Sequence, residues 1–230
     1  GMVLKVDDQA LQEQLGFTSH HPSWAMAYKF KARQASSTVE DVQFQVGRVG
    51  TITPVGKVKP VNIGGATISS VSLFNEDFIQ EKDIRKGDQV LVERAGDVIP
   101  YIVKVTPEAR NGTEELVTFP DTCPSCQTPI SRPEGEAHYI CINVNCPAQV
   151  LERMGHFVSK GAMDIDGLGG QQLKRFYELG FLNSIPDIYR LDYQQLVKLE
   201  GFGKKSIENL RNAIEASKNR SLHQLLFGLG

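Results

Sequence analysis

The sequence predicts a multidomain chain of mixed α and β character, rich in strands before residue 110 and helical beyond residue 150. Three observations carry that reading. Short β-branched runs punctuated by glycine recur from residue 39 to residue 105. All four cysteines fall between Cys123 and Cys146. Beyond them a pattern of helix, glycine hairpin and helix occurs twice, with Gly167 and Gly201 thirty-four residues apart, which marks an internal repeat.

Residues 1–31 read as the end of a larger body. Met2, Leu4 and Val6 alternate with Val3 and Lys5, which is strand period. Residues 24–31 alternate in the same way, with Tyr28 and Phe30 on one face and Ala27, Lys29 and Lys31 on the other. Two short strands do not make a stable fold alone. Lys5 and Lys29 each project from an otherwise apolar strand. A single strand lysine is ordinarily just solvated, and two together suggest an anion site; spacing alone does not decide between these.

Residues 32–115 form the strand-rich segment. Strands are expected at 39–46, 49–55, 66–73, 89–93 and 99–105. A short helix is expected at 75–81, where Asn75 can cap and acidic residues occupy the first turn. Five strands with one helix between the third and fourth outline an OB barrel, a small Greek-key barrel that commonly binds nucleic acid. Arg48 and Arg94 lie in Gly47-Arg48-Val49-Gly50 and Arg94-Ala95-Gly96-Asp97. Glycine lets backbone approach a ligand closely while a neighbouring guanidinium reaches a phosphate. Taken singly, each is better explained as a turn arginine in solvent.

A polar linker, 106–115, leads to a cysteine module at 116–150. Its spacing is C-x2-C-x14-C-x4-C, formed by Cys123, Cys126, Cys141 and Cys146. Four thiolates at that spacing suit one tetrahedral zinc, with Zn–S near about 2.3 Å, and leave no open position for substrate, so the metal is structural. Two disulfides are the alternative and would suit a small secreted domain. No basic-then-apolar leader and no apolar run of membrane-spanning length is visible, so the expected setting is the reducing cytoplasm.

The last segment, 151–230, changes to helical spacing. Helices are expected at 151–159, 172–179, 196–199 and 206–216, with another beginning at 222–227. Between them stand Gly167-Leu168-Gly169 and Gly201-Phe202-Gly203, each a tight corner before a helix. Such a corner leaves amide N–H groups unpaired at the positive end of the helix, where a nucleic-acid phosphate can dock. Lys204 and Lys205 add charge at the second corner. From 201 to 220 five basic residues face Glu208 and Glu215, a local surplus of three. That surplus matters because the whole chain has a net charge of −2, which excludes a bulk polycation. Contacts of this kind read no bases, so the expected partner is duplex DNA bound without sequence preference and with strong salt dependence.

With these modules placed, the chain resembles the bacterial NAD-dependent DNA ligase family along essentially all of its length. Gly1-Met2-Val3-Leu4-Lys5-Val6 and Trp24-Ala25-Met26-Ala27-Tyr28-Lys29-Phe30 are similar to two nucleotidyltransferase motifs of that family. Gln45-Val46-Gly47-Arg48, Leu73-Phe74-Asn75 and Arg94-Ala95-Gly96-Asp97-Val98-Ile99-Pro100 resemble its OB domain, and 162–169 its first helix-hairpin-helix. The resemblance implies that Lys5 and Lys29 contact the adenylate, and that NAD and magnesium serve the whole enzyme. It further implies nick sealing through enzyme-adenylate and DNA-adenylate intermediates, in DNA replication and repair, by a monomer.

Two departures stand out. Lys31 replaces the usual proline after the Lys-Phe pair. The family's nucleophilic Lys-x-Asp-Gly is absent; Lys5-Val6-Asp7-Asp8 imitates it but ends in aspartate. An N-terminal adenylation region is therefore expected to be missing, and this chain is not expected to adenylate itself. The competing expectation is a non-catalytic, zinc-containing DNA-binding protein that stands alone.

Overall fold

The computed structural model describes residues 1–28, 30, 32–94 and 99–230; Lys29, Lys31 and 95–98 lie outside the described residues. The expectations for Lys29 and for the glycine turn after Arg94 fall there. The chain divides into two compact units, Gly1–Gln43 with Val55–Phe74 and Phe78–Val117, and Phe44–Pro54 with Asn75–Asp77 and Thr118–Gly230.

In the first unit β1 (Met2–Lys5) and β2 (Ala25–Tyr28) pair antiparallel, with Val3 opposite Ala27 and Lys5 opposite Ala25. Helix α1 (Gln9–Leu15) lies between them in sequence. Asp8 caps it, its carboxylate accepting from the amides of Ala10 at 2.8 Å and Leu11 at 3.3 Å. That is what the fourth residue of Lys5-Val6-Asp7-Asp8 does.

The barrel consists of β3 (Arg33–Val46), β4 (Thr51–Ile63), β5 (Ala66–Ser72), β7 (Gln89–Arg94) and β8 (Tyr101–Val105). Their order is β4-β3-β7-β8-β5, and a β4–β5 pairing closes the ring. β5 and β8 meet in parallel at Ser72 and Tyr101, whereas the neighbouring pairings are antiparallel. Val39, Val58, Val71, Leu73, Val90, Val92 and Ile102 fill the interior with at most 1% exposure. Helix α2 (Glu76–Glu81) precedes β7 and buries Ile79.

Two strands are longer than the sequence pattern suggests. β3 starts at Arg33 because Arg33–Thr38 pairs with β7, although its Gln, Ala and Ser residues carry little strand signal. β4 continues to Ile63 past a register shift between Lys57 and Val61, and Pro60, which has no N–H to give a ladder, sits in that irregularity. Gly56 sits in close packing inside: an added Cβ would lie 3.1 Å from Val71 Cγ2, which would have to give way by a few tenths of an ångström.

The stretch expected to be a polar linker is tied down instead. β9 (Glu115–Leu116) pairs with β6 (Arg85–Lys86). Arg110 donates to both oxygens of Asp88 at 2.7 and 2.9 Å and to Asp83 at 2.6 Å. Asp88 is completely buried and also accepts from the Arg85 amide at 2.7 Å. Polar composition does not separate a solvated loop from an ion-paired one.

The second unit contains β10 (Tyr139–Ile140), which adds to the Thr51–Ile52 end of β4, and helices α3 (Pro147–Val158), α4 (Gly170–Glu178), α5 (Tyr193–Leu196), α6 (Lys204–Ser217) and α7 (Leu222–Leu229). Met154, Phe157, Leu168, Leu173, Phe176, Leu182, Ile188, Leu196 and Leu210 form one buried helical core. The helices α4 and α6 begin two residues earlier than their apolar spacing suggests, since glycine and lysine at their starts contribute no apolar periodicity. A 3-10 turn at Ile185–Arg190 buries Ile188 and had no periodic signal.

Candidate metal centre and nucleic-acid interface

The four cysteines converge. Cys123 opens a tight turn, its N–H donating to Thr128 O and its C=O accepting from Gln127 N–H, so Cys126 folds back beside it. Cys141 follows β10 directly. Cys146 is the N-cap of α3, with Pro147 as the first helical residue. The four Sγ atoms lie within 4.8 Å of one another. Cys123 and Cys146 are 3.8 Å apart and Cys126 and Cys141 are 3.5 Å apart. A tetrahedron of thiolates at about 2.3 Å from zinc has edges near 3.8 Å, whereas a disulfide requires about 2.05 Å. The disulfide alternative is set aside, and the donor set fits a zinc ion.

Thr128 lies 3.3 Å from Cys126 Sγ and lowers that thiol to about 6. Burial pushes Cys141 up to about 12 and raises Cys123 as well. Near neutral pH burial favours the protonated form of those two thiols, and a zinc ion held there would take the place of their protons.

Around the sulfurs pack Val46, Ile52, Phe44, Phe119, Ile130, Tyr139 and Ala148. Phe119 stacks on Tyr139 at 4.9 Å. Arg132 holds Asp77 at 2.5 Å, and the Tyr139 hydroxyl donates to Glu76 at 2.9 Å. The Gly47–Gly50 turn belongs to the same unit. Gly50 has φ +86° and an added Cβ would stand 2.3 Å from Cys141 O, so its close approach is to the chain itself and not to a ligand. Arg48 in that turn is half-buried, with its guanidinium beside Gly230.

Both glycine corners are open. Gly167 and Gly201 have φ of +82° and +83°, the left-handed region that favours glycine. Gly169 and Gly203 are N-caps of α4 and α6 without a side-chain cap. All four glycines are exposed, as are Lys204 and Lys205. An added Cβ at Gly167, Gly169 or Gly203 would meet nothing within 4 Å. Among the described residues, no acceptor meets the N–H groups of Gly169, Gly170, Gln171, Gly203, Lys204 or Lys205. The local charge surplus is smaller than the sequence suggests, because Arg220 pairs with Asp164 from outside that span; the Lys218–Glu215 pair at 2.7 Å is already counted within it.

Lys5 is exposed on β1 and shares its strand face with Val3, Ala25 and Ala27 by register. Arg94 ends β7, directly opposite Arg33. The register sets two arginines on one face of the strand pair.

Family comparisons agree with this assembly. Residues 1–33 match the NAD-dependent DNA ligase adenylation domain, residues 36–114 its OB-fold domain, and residues 122–148 its C4 zinc finger domain. The DNA ligase of Sulfurihydrogenibium azorense is 65% identical over all 230 residues, which make up 33% of that protein. Those of Aquifex aeolicus and Desulfitobacterium hafniense are 56% and 49% identical over the same span, covering 32% and 35% of each. The chain belongs to the NAD-dependent DNA ligase family. It spans about a third of the length of these ligases. The C4 finger of the ligase family names zinc as the ion for the four thiols, in agreement with their spacing.

Three residues of this ligase-family chain escaped the sequence reading. Gln149 is 4% exposed and donates to Cys141 O at 2.8 Å. Arg33 becomes notable only through its register with Arg94. Arg175 lies over the Phe202 ring at 5.6 Å, beside the second glycine corner. Only for Arg33 did a nearby signal exist, the run of basic residues Lys29, Lys31 and Arg33 in the sequence.

Proposed function

We propose that this chain serves an NAD-dependent DNA ligase that seals nicks in duplex DNA, supplying the modules that hold the broken strand. The observation that carries it is the pair of exposed glycine corners with unpartnered amides, in a chain that also has an OB barrel and a zinc finger. A phosphate docks on such amides through the helix dipole, without a broad basic surface. In this reading Gly167, Gly169, Gly201, Gly203, Lys204 and Lys205 hold the sugar-phosphate rail, and Arg48 and Arg94 add guanidinium contacts from the barrel. Lys5 and Lys29 face the adenylate, where a lysine stabilises charge on phosphoryl oxygens. NAD supplies the adenylyl group and magnesium offsets phosphate charge in the whole enzyme.

The proposed divisions are an adenylation end at 1–31, an OB domain at 32–115, a zinc finger at 116–150 and a helix-hairpin-helix domain at 151–230. The working form is a cytoplasmic monomer. A zinc-containing DNA-binding protein with no catalytic role would need no adenylation-domain strands, and residues 1–33 match that domain; this favours the ligase reading.

Binding to a nicked duplex should be indifferent to sequence and should weaken steeply with salt. Replacing Lys204 and Lys205 with glutamine should lower the salt slope by about 2, one unit for each phosphate contact. A slope that does not move would refute the second corner as a phosphate site. Nick sealing should be undetectable with this chain alone and should appear once a relative's N-terminal adenylation segment is joined to it.

A further inference from the structure

We propose that Gln149 is a positioning residue that ties the four-cysteine centre to the barrel turn bearing Arg48. This rests on the reading of Arg48 as a phosphate contact. Gln149 projects from α3, three residues after the ligand Cys146, and is 4% exposed. Its Nε2 donates to Cys141 O at 2.8 Å and to Asn143 O at 3.1 Å. A buried amide without such partners would be costly, so the side chain has little freedom to turn.

The peptide of Cys141 is gripped from two sides. Its carbonyl is held by Gln149, and its own N–H donates to Gly50 O at 2.9 Å. Gly50 lies against both, since an added Cβ would stand 2.3 Å from Cys141 O and 2.9 Å from Gln149 Nε2. From Gly50 the order passes into the turn. Gly50 N–H donates to Gly47 O at 2.9 Å, and Gly47 N–H donates to Thr51 O at 2.9 Å. The ladder continues with Ile140 opposite Thr51 and Tyr139 opposite Ile52. Arg48 is therefore carried on a turn whose backbone hangs from a metal ligand, and Gln149 fixes that ligand's carbonyl. A metal that holds Cys141 sulfur orders the turn only while this amide link is intact.

The test compares Gln149→Met, which keeps the length of the side chain and removes its donor, with the parent chain. Zinc content should stay unchanged. Amide exchange at 47–52 should quicken by about tenfold, the size of one lost hydrogen bond, while exchange at 89–94 holds. Affinity for a nicked duplex should fall as far as in Arg48→Ala, and the double variant should lose nothing more, because the two changes act through one contact. Unaltered protection at 47–52, loss of zinc, or additive losses in the double variant would each overturn the proposal. If Gln149→Met does not fold, the parent chain decides: chelation must strip protection from 47–52 and spare 89–94, and retained protection at 47–52 refutes the link. An Arg48→Ala variant that binds as well as the parent would count against the DNA reading of Arg48, and the exchange result still judges the link by itself.

Discussion

Two stretches of this chain that look like loops are fastened by different chemistry. The cysteine ribbon is gathered by four sulfurs around one metal position. The segment after the barrel is gathered by Arg110, which reaches buried Asp88 and exposed Asp83 together. A metal centre is a cooperative fastening, because its ligands come together only in the folded state and metal binding is coupled to that folding. An ion-paired knot is graded, and its strength follows how deeply its carboxylate is buried. The ribbon should therefore answer to chelators and the barrel extension to charge removal.

The largest effect expected is on the ribbon. Cys126→Ser should abolish zinc binding and free the segment 118–146, since a structural site of this type supplies about 10–16 kcal/mol of apparent binding energy. Metal analysis together with amide exchange reads this out; zinc retained in the variant would break the contrast. Next comes Arg110→Ala, which strands the Asp88 carboxylate in the interior and should cost about 3–5 kcal/mol in urea unfolding of the barrel. That loss should be the same with or without chelator. A smaller response is expected from acid. Asp83 is held below its ordinary 3.8, first by Arg110 and then by Arg85. A carboxylate lowered in the folded state contributes stability above 3.8, and the contribution disappears as pH falls through the folded value. Acid titration of the chelated chain should leave protection at 107–116 intact until pH drops below 3.8; loss at neutral pH would overturn this. The smallest effect belongs to Arg132→Ala. Its partner Asp77 is 52% exposed, against 0% for Asp88, so the change should move the urea midpoint least of all.

The same contrast explains what could be read from the sequence. Cysteine spacing determined the metal centre because sulfur chemistry leaves few alternatives at C-x2-C-x14-C-x4-C. The barrel's five strands and one helix followed from β-branched runs punctuated by glycine, yet the first strand's start at Arg33 did not, because its Gln and Ser residues gain strand character only by pairing with 89–94. Arg110 looked like part of a solvated linker, since a buried carboxylate partner such as Asp88 has no local signature. Gln149 was invisible for a similar reason: its role depends on the Cys141 carbonyl, a backbone atom that no residue pattern encodes. The glycine corners were legible because left-handed backbone restricts the residue type itself.

Peptide N–H groups at those corners do not ionise anywhere near neutrality. Whatever settles on them meets a donor set that neither proton concentration nor oxidation alters, unlike the thiols a few dozen residues upstream. Replacing side chains around Gly169 and Gly203 can change the approach to these donors but cannot retune the donors themselves, which makes this surface a fixed point for drift in the rest of the sequence.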